Sequence, residues 1–269
     1  MIVVAGATGN VGRELVRALA GTPVRALSRT PVGPHGVAGD LNDPASLRPA
    51  LDGATALFVL SGYADMPGVF AEARRAGVGR VVLMSGSSAE TGDLDNAVAR
   101  YMIASERAVR ESGVAWTILR PRTFMSNTLQ WAPQLAAGDV VRAPWPSVAV
   151  ATVDPADIAA VAARALTGPG HEGREYPVTG PAALRPEERV AVLASALGRP
   201  LRYEAQSDEE ARAEMSAQIP AEYVNAFFAF FSEGKLDESP VFPTVREVVG
   251  RAPRTFAEWA AANAESFLR

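Results

Sequence analysis

Three glycines with a three-residue spacing lie near the start of the chain, in Gly6-Ala7-Thr8-Gly9-Asn10-Val11-Gly12. Glycine lets the backbone turn tightly and approach a diphosphate, because no side chain stands between the two. A helix that begins at such a loop offers free N–H groups and the positive end of its dipole to the same group. The spacing predicts a dinucleotide-binding loop, and the alternative is a glycine turn without a ligand.

This loop needs a strand before it and a helix after it, and the flanking residues fit both. The run Ile2-Val3-Val4-Ala5 is too short for a helix and suits a strand buried on both faces of a parallel sheet. After the loop, apolar residues fall on one helical face, namely Val11, Leu15, Val16 and Leu19. The expected order is strand, glycine loop and helix.

The end of the second predicted strand, residues 22–29, indicates which dinucleotide is bound. NAD-selective sites carry an acidic residue here, which holds the ribose 2′-OH. Ser28 and Arg29 stand in that place. A hydroxyl and a guanidinium suit a 2′-phosphate, whereas a carboxylate would repel it, so the pair predicts NADP(H) in preference to NAD(H). The alternative is a solvated arginine at a strand end.

Further apolar runs alternate with helical patterns and predict a doubly wound parallel α/β sheet. Ligands of such sheets bind at the carboxyl ends of the strands, where Asp40, the pair Ser61-Gly62 and Ser85 are expected. Asp40 is placed to meet an adenine or to serve as a turn aspartate. The patterns also predict helices over 96–111 and 208–231 and extended chain over 148–153.

The domain organisation follows from the same patterns. We expect a nucleotide-binding domain in residues 1–150 and a return of residues 151–180 to its sheet. Residues 181–269 would then form a smaller substrate domain.

Composition excludes several classes of function. The chain has 26 basic and 30 acidic residues and a net charge of -4, so neither nucleic acid nor an anionic membrane is an expected partner. Cysteine is absent and only two histidines occur, so disulfides, thiol catalysis and a metal site are not expected. Because no export signal or membrane-length apolar run is found, we expect a cytoplasmic location.

Several motifs in order resemble one family, the NmrA-like atypical short-chain dehydrogenase/reductases, over nearly the whole chain. The glycine loop and Arg29 are two of them. The others are Gly39-Asp40-Leu41, Ser105-Glu106, the run 111–121 that ends in Arg120-Pro121, Phe124-Met125-Ser126-Asn127, Asp157-Ile158-Ala159, the run 176–181 and the run 250–256. Known members include NADPH-dependent quinone reductases and triphenylmethane dye reductases, which are most similar in overall pattern, and non-catalytic redox sensors.

The resemblance implies a Rossmann domain, a small and mostly helical C-terminal substrate domain, and a cleft between them. It also implies roles for individual residues. The diphosphate would contact Gly6, Ala7, Thr8, Gly9, Asn10 and Val11. Arg29 would meet the 2′-phosphate, and Asp40 and Leu41 the adenine. The nicotinamide side would be lined by Leu60, Ser61, Gly62 and Ser85, with Pro121 and Phe124 nearby.

The catalytic pattern of the superfamily is broken in this chain. Typical members use a tyrosine four residues before a lysine, whose charge lowers the pKa of the tyrosine. Tyr101 is present, but Ser105 stands where the lysine belongs, and the only lysine is Lys235. Tyr101 and Ser85 are the candidate catalytic groups, as hydrogen-bonding partners of an acceptor oxygen. The alternative for Tyr101 is a helix tyrosine packed beneath the cleft.

Two functions fit these residues. The first is an NAD(P)H-dependent reductase that transfers hydride to a quinone-like or other conjugated aromatic or carbonyl acceptor, which needs little acid catalysis. The second is an NADP(H)-binding redox sensor without turnover. Tyr223, Phe227 and Phe230 or Phe231 form an aromatic stripe that would roof a small aromatic substrate, pack in the core or form a homodimer face. Glu106 is interpreted as a helix-surface acid.

Overall fold

A computed structural model describes residues 1–267, and the last two residues of the predicted substrate domain lie outside the described part. Seven parallel strands form one sheet in the spatial order β3-β2-β1-β4-β5-β6-β8. They are β1 (Ile2–Ala5), β2 (Val24–Ser28), β3 (Gly36–Ala38), β4 (Ala56–Leu60), β5 (Arg80–Met84), β6 (Ala115–Pro121) and, after a further strand β7 (Val140–Ala143) outside this sheet, β8 (Arg174–Val178). The predicted doubly wound parallel sheet is confirmed.

Helices cover both faces of this sheet and continue into the C-terminal part. They are α1 (Asn10–Ala18), α2 (Arg48–Leu51), α3 (Met66–Arg75), α4 (Ala97–Glu111), α5 (Ala132–Ala137), α6 (Pro155–Thr167), α7 (Pro186–Leu197), α8 (Asp208–Ser216), α9 (Ala221–Phe231), α10 (Thr244–Val249) and α11 (Phe256–Ala262). Short 3₁₀ segments occupy Pro44–Leu47, Ser87–Thr91, Met125–Trp131 and Ala264–Phe267.

Alternation along the strands creates two cores. On one face, Val3 and Leu83 pack with residues of α3 and α4, such as Phe70. On the other face, Phe58 packs with residues of α1 and α6, such as Leu15. Because both faces are buried, the strands read as continuous apolar runs.

Polar side chains cap the starts of two helices. Asn96 accepts hydrogen bonds from the amides of Val98 and Ala99, and Asp154 accepts one from Ala156. Each side chain satisfies N–H groups that have no partner inside the helix. These caps fix where α4 and α6 begin, and α4 runs almost as predicted.

The C-terminal part adds a two-stranded parallel sheet, in which β7 pairs with β9 (Arg202–Ala205). Its apolar cluster includes Trp131, Leu193 and Trp259 from three separate segments. Helix α10 instead packs back against α6, with Val245 in the core beside the main sheet. The division into domains at residues 150 and 180 stays a prediction.

One sequence prediction about an element was wrong. The helix over 208–231 is broken into α8 and α9, because Pro220 lacks the N–H that a continuous helix needs. The segment 148–153, predicted as extended chain, forms isolated bridges, Val150 with Leu184 and Val153 with Phe124. Strand β7 was not predicted from the sequence. Within residues 1–267, no helix is both long and apolar enough to span a bilayer.

Candidate cofactor and acceptor site

The glycine loop connects β1 to α1 in a compact turn. The Gly9 amide donates to the carbonyl oxygen of Gly6 over 2.9 Å, and the Arg13 amide donates to that of Gly9 over 3.1 Å. A Cβ at Gly12 would lie 2.1 Å from the Gly6 oxygen, and Gly6 itself has φ +64°. Position 12 therefore requires glycine because a side chain would clash, and position 6 requires it because of its left-handed backbone conformation.

The start of α1 has unsatisfied donors. No side chain of residues 1–267 caps the helix at Gly9, and the amides of residues 10–12 have no acceptor within that range. Thr8 and Asn10 are exposed beside these groups, whereas the Val11 side chain is buried. The loop has no room for a side chain at Gly6 or Gly12, and it precedes a helix without a side-chain cap. This arrangement fits the diphosphate of a dinucleotide.

The glycine loop lies at the point where the strand order reverses, between β1 and β4. A Cβ at Gly6 would lie 2.7 Å from Leu60 Cδ1, so Gly6 and Leu60, which are both predicted to contact the cofactor, lie side by side. Ser61 follows Leu60, and its hydroxyl donates to the carbonyl oxygen of Met84 over 3.0 Å. Crevices at such reversal points are where open α/β sheets bind their ligands.

Ser28 and Arg29 lie at the carboxyl end of β2. The Ser28 hydroxyl donates to the carbonyl oxygen of Thr30 over 2.6 Å. Arg29 is exposed and forms no ion pair within the described chain. Burial and the carboxylate of Asp40 raise the pKa of Tyr63, and the charge of Arg29 acts in the opposite direction. Tyr63, which sequence reasoning did not single out, therefore lies near both charged groups.

Asp40 and Leu41 differ in what they can offer an adenine. Asp40 Oδ1 accepts a hydrogen bond from the Asn42 amide over 2.9 Å, which is the geometry of a turn aspartate. Leu41 is buried in the core, so only its backbone is available to a ligand. Their contact with an adenine stays a prediction.

Ser85 follows β5 and is almost fully buried. Its hydroxyl donates to Glu106 Oε1 over 2.7 Å. Arg120 makes two hydrogen bonds to the same carboxylate, at 2.8 and 2.6 Å, and Arg110 adds one at 2.8 Å. Burial by itself would raise the pKa of Glu106, but the hydrogen bonds from Arg120 and Ser85 outweigh it and lower the pKa.

The interpretation of Glu106 as a helix-surface acid was wrong, since its side chain is only 2% exposed. The sequence carried one signal of its burial. Glu106 lies three residues before the buried Val109 on the same helix face. Sequence reasoning also missed the carboxylate of Glu175, which pairs with both Arg110 and Arg120 at 2.5 and 2.9 Å.

Tyr101 lies on α4 against the end of β4. A Cβ at Gly62 would lie 3.0 Å from Tyr101 Cδ2, so the ring rests on the glycine backbone. The Ser105 hydroxyl donates to the Tyr101 carbonyl oxygen over 2.8 Å and accepts from the Gly62 amide over 3.1 Å. Ser105 stands at the position where typical superfamily members have their lysine. Through these two hydrogen bonds it connects helix α4 to the carboxyl end of β4.

The phenol of Tyr101 has no hydrogen-bonding partner within residues 1–267. Burial and the neighbouring Tyr223 raise its pKa from the ordinary value of 10.0. At neutral pH it is therefore a protonated phenol that can donate a hydrogen bond. Tyr223 comes from α9, which packs on α4.

Pro121 and Phe124 close the carboxyl end of β6. Pro121 is buried, and Phe124 is half-buried and bridges to Val153.

Glu238 is a buried carboxylate that sequence reasoning missed. It accepts hydrogen bonds from the hydroxyls of Ser87 and Thr123 and, over 3.0 Å, from the Thr123 amide. It therefore joins the loops that follow β5 and β6.

Part of the aromatic stripe forms a cluster with a residue far away in sequence. The Trp145 ring lies 5.6 Å from that of Phe228 and 4.7 Å from that of Phe231. Trp145 also donates from its indole nitrogen to the Ser232 hydroxyl over 2.8 Å. Phe230 is buried, so this part of the stripe is core, as is the neighbouring Phe228, while Tyr223, Phe227 and Phe231 stay half-buried.

Comparison with known proteins supplies the family. Residues 6–169 match a family described as NAD(P)H-binding. The chain is 44% identical to (4-alkanoyl-5-oxo-2,5-dihydrofuran-3-yl)methyl phosphate reductase of Streptomyces griseus, with 99% of each chain covered. It is 37% identical to the NAD(P)H azoreductase of Xenophilus azovorans, again with 99% of each covered.

A solved structure has the same fold over nearly the whole chain. The NADPH-dependent quinone oxidoreductase QOR2 of Escherichia coli, complexed with NADPH, superposes with a TM-score of 0.81 at 26% identity and covers 97% of this chain and 99% of its own. The resemblance stated from the motifs is confirmed by these matches. The chain belongs to the NAD(P)H-binding family, and its relatives of similar length are named reductases.

Proposed function

We propose that this protein transfers hydride from NADPH to an electron-poor conjugated acceptor of the quinone-like or conjugated-carbonyl type. The observation that carries the proposal is the unpartnered, protonated phenol of Tyr101 at the carboxyl edge of the sheet, with Ser105 four residues further on instead of a lysine. A phenol with a raised pKa polarises an acceptor oxygen by hydrogen bonding but is a poor proton donor. Such a site suits acceptors that take hydride readily.

The hydroxyls near Tyr101 support its role as the donor. Ser61 donates to the Met84 carbonyl and Ser85 donates to Glu106, so both protons are already used within the protein. Towards a ligand, each serine oxygen can only accept a hydrogen bond. We therefore assign Ser61 and Ser85 to the donors of a bound nicotinamide amide, and Tyr101 to the acceptor oxygen.

The names of the relatives agree with an acceptor of this class. The Streptomyces griseus enzyme is named for a dihydrofuranone whose ring double bond is conjugated to two carbonyl groups, and the Xenophilus azovorans enzyme for azo compounds. The Escherichia coli enzyme is named for quinones. These acceptors share an electron-poor π bond, which accepts hydride with little help from an acid.

When bound, the cofactor supplies the hydride, and the residues of this chain bind it, orient it and exclude water. The glycine loop and the N-terminus of α1 would hold the diphosphate, and Arg29 with Ser28 would select the 2′-phosphate. Leu60 and Phe124 would shield the reacting end of the cleft from water. The absence of cysteine agrees with work in the reducing cytoplasm.

The test is oxidation of NADPH and NADH by the purified protein with three acceptors: a quinone, an azo dye and an acyl-substituted butenolide. Binding of both cofactors is titrated in parallel. Turnover that is faster with NADPH, with a rate order that follows the electron deficiency of the acceptor, is the expected result. Tight binding of NADP(H) without turnover on any acceptor would overturn the proposal in favour of a redox sensor.

A further inference from the structure

A groove lined by apolar residues, hydroxyl groups and three basic residues includes Ser28 of the predicted 2′-phosphate site. It runs between α1 and the loop that follows β2, and its volume is about 430 Å³. Thr8 and Ser28 contribute hydroxyl groups to its lining, and Arg13, Arg17 and His35 contribute basic groups. The groove contains no acidic lining residue, so its chemistry favours an anion.

The two arginines of α1 differ in how their charges are compensated. Arg17 pairs with Glu14 on the same helix at 2.5 Å. Arg13 is exposed and forms no ion pair with any residue of the described chain. An uncompensated guanidinium keeps its full capacity for a bidentate contact with a phosphate.

Ser28 lines the groove together with Arg13, and Arg29 follows Ser28 in the chain. Arg29 itself does not line the groove, and its charge acts on Tyr63 together with that of Asp40. Arg13 is therefore a lining cation without an ion-pair partner in the described chain, and it shares the groove with the Ser28 hydroxyl.

We infer that Arg13 is a second specificity-determining residue for the 2′-phosphate of NADP(H), which it binds from the α1 side while Arg29 binds from the adenine side. This inference rests on the proposed preference for NADPH and assigns a residue to it that the sequence pattern did not indicate. A dianionic phosphate held between two guanidinium groups is bound more tightly than one held by a single group.

The experiment measures binding by calorimetry, without turnover, with 2′,5′-ADP and 5′-AMP as probes. These probes differ by the 2′-phosphate alone. The variants are Arg13→Ala, Arg29→Ala and Arg107→Ala. The last is the matched control. Arg107 is an exposed arginine of α4 that forms no ion pair within residues 1–267, and α4 packs on the face of the sheet opposite to α1. It removes the same charge far from the groove.

We expect Arg13→Ala to weaken 2′,5′-ADP about tenfold or more and to leave 5′-AMP within about twofold. Arg107→Ala should leave the affinities of both probes unchanged. If Arg29→Ala shows the selective loss and Arg13→Ala does not, the inference about Arg13 fails while the NADPH preference stands. If the unmodified protein binds both probes equally, the NADPH preference itself fails, and the role of Arg13 fails with it.

Discussion

The Ser85 hydroxyl and the Glu106 carboxylate are joined by a 2.7 Å hydrogen bond beneath the edge of the sheet where the cofactor is expected. Glu106 comes from the middle of α4 and Ser85 from the end of β5, so the contact ties a helix to a strand end. Arg120 and Arg110 neutralise the carboxylate from the other side. The orientation of a hydroxyl at the site is thus fixed by an ionic network in the core.

Glu106→Gln should destabilise the protein by about 1 to 3 kcal/mol, because it removes the buried one of the two carboxylates that pair with Arg120 and leaves only the pair with Glu175. Urea denaturation measures the loss in the free energy of unfolding. Glu222→Gln is the control, since its surface pair with Arg100 should contribute no more than about 0.5 kcal/mol. Equal losses for the two variants would contradict a structural role for the network.

The same network predicts a pH dependence of stability. The pKa of Glu106 is lowered in the folded protein, so its stabilisation is complete above the unfolded value of about 4.3 and is lost as the pH falls through the folded value. The difference in unfolding free energy between the unmodified protein and Glu106→Gln should be constant near pH 7 and shrink below pH about 4. A difference that grows on acidification would show that the pKa is raised instead.

Tyr101→Phe should lower kcat/KM for an oxygen-bearing acceptor about three- to tenfold, the contribution of one hydrogen bond. Tyr176→Phe, which removes a hydroxyl bonded to His171, serves as the control and should leave kcat/KM unchanged. Because the pKa of Tyr101 is raised above 10.0, the phenol stays protonated from pH 6 to 9, and kcat/KM should be flat over that range. An ionisation near pH 7 in the rate profile would point to another proton donor.

Gly12→Ala should lower NADPH affinity about tenfold or more, since its Cβ would lie 2.1 Å from a backbone oxygen and force the loop to shift. Gly138→Ala is a suitable comparison. Gly138 has φ 169°, an extended conformation open to any residue, and free space around its Cα. Calorimetric titration of both variants with NADPH tests the prediction, and unchanged affinity in Gly12→Ala would place the diphosphate elsewhere.

Glu238→Ala should expose the Thr123 amide to solvent exchange, because that amide donates to the Glu238 carboxylate. The unsatisfied groups left behind should also lower the free energy of unfolding by about 1 to 3 kcal/mol. Asp237→Ala, at an exposed neighbour whose side chain bonds to Ser239, should leave Thr123 protected. Retained protection in Glu238→Ala would show that the two loops are held by other contacts.

Local signals sufficed for the elements that begin the fold. The run from Ile2 to Gly12 predicted β1 and the glycine loop, because an apolar run indicates a buried strand and the glycines that follow it directly indicate a tight turn. The caps Asn96 and Asp154 likewise act on N–H groups two or three positions away. Such signals require no knowledge of the tertiary structure.

The long-range contacts that support the site could not be predicted from such local signals. Glu106 accepts a hydrogen bond from Ser85, 21 residues away in the sequence, and Glu238 accepts one from Ser87, 151 residues away. A charged residue in a helical pattern is normally solvated, so its burial becomes visible only when the sheet brings its partners together. The break at Pro220 could have been predicted, since proline in a helix interior removes a hydrogen bond.

The fold also contains a contact that bears on the order of events in a catalytic cycle. Asn10 Nδ2 donates to the Ser126 hydroxyl over 3.1 Å, which joins the glycine loop to the 3₁₀ segment that follows Phe124. Residues that would contact the diphosphate are thereby linked to the segment beside the acceptor end of the cleft. A cofactor that fixes Asn10 would steady that segment before the acceptor arrives, so the cycle is expected to be sequential and ordered, with the dinucleotide as the first ligand on and the last off.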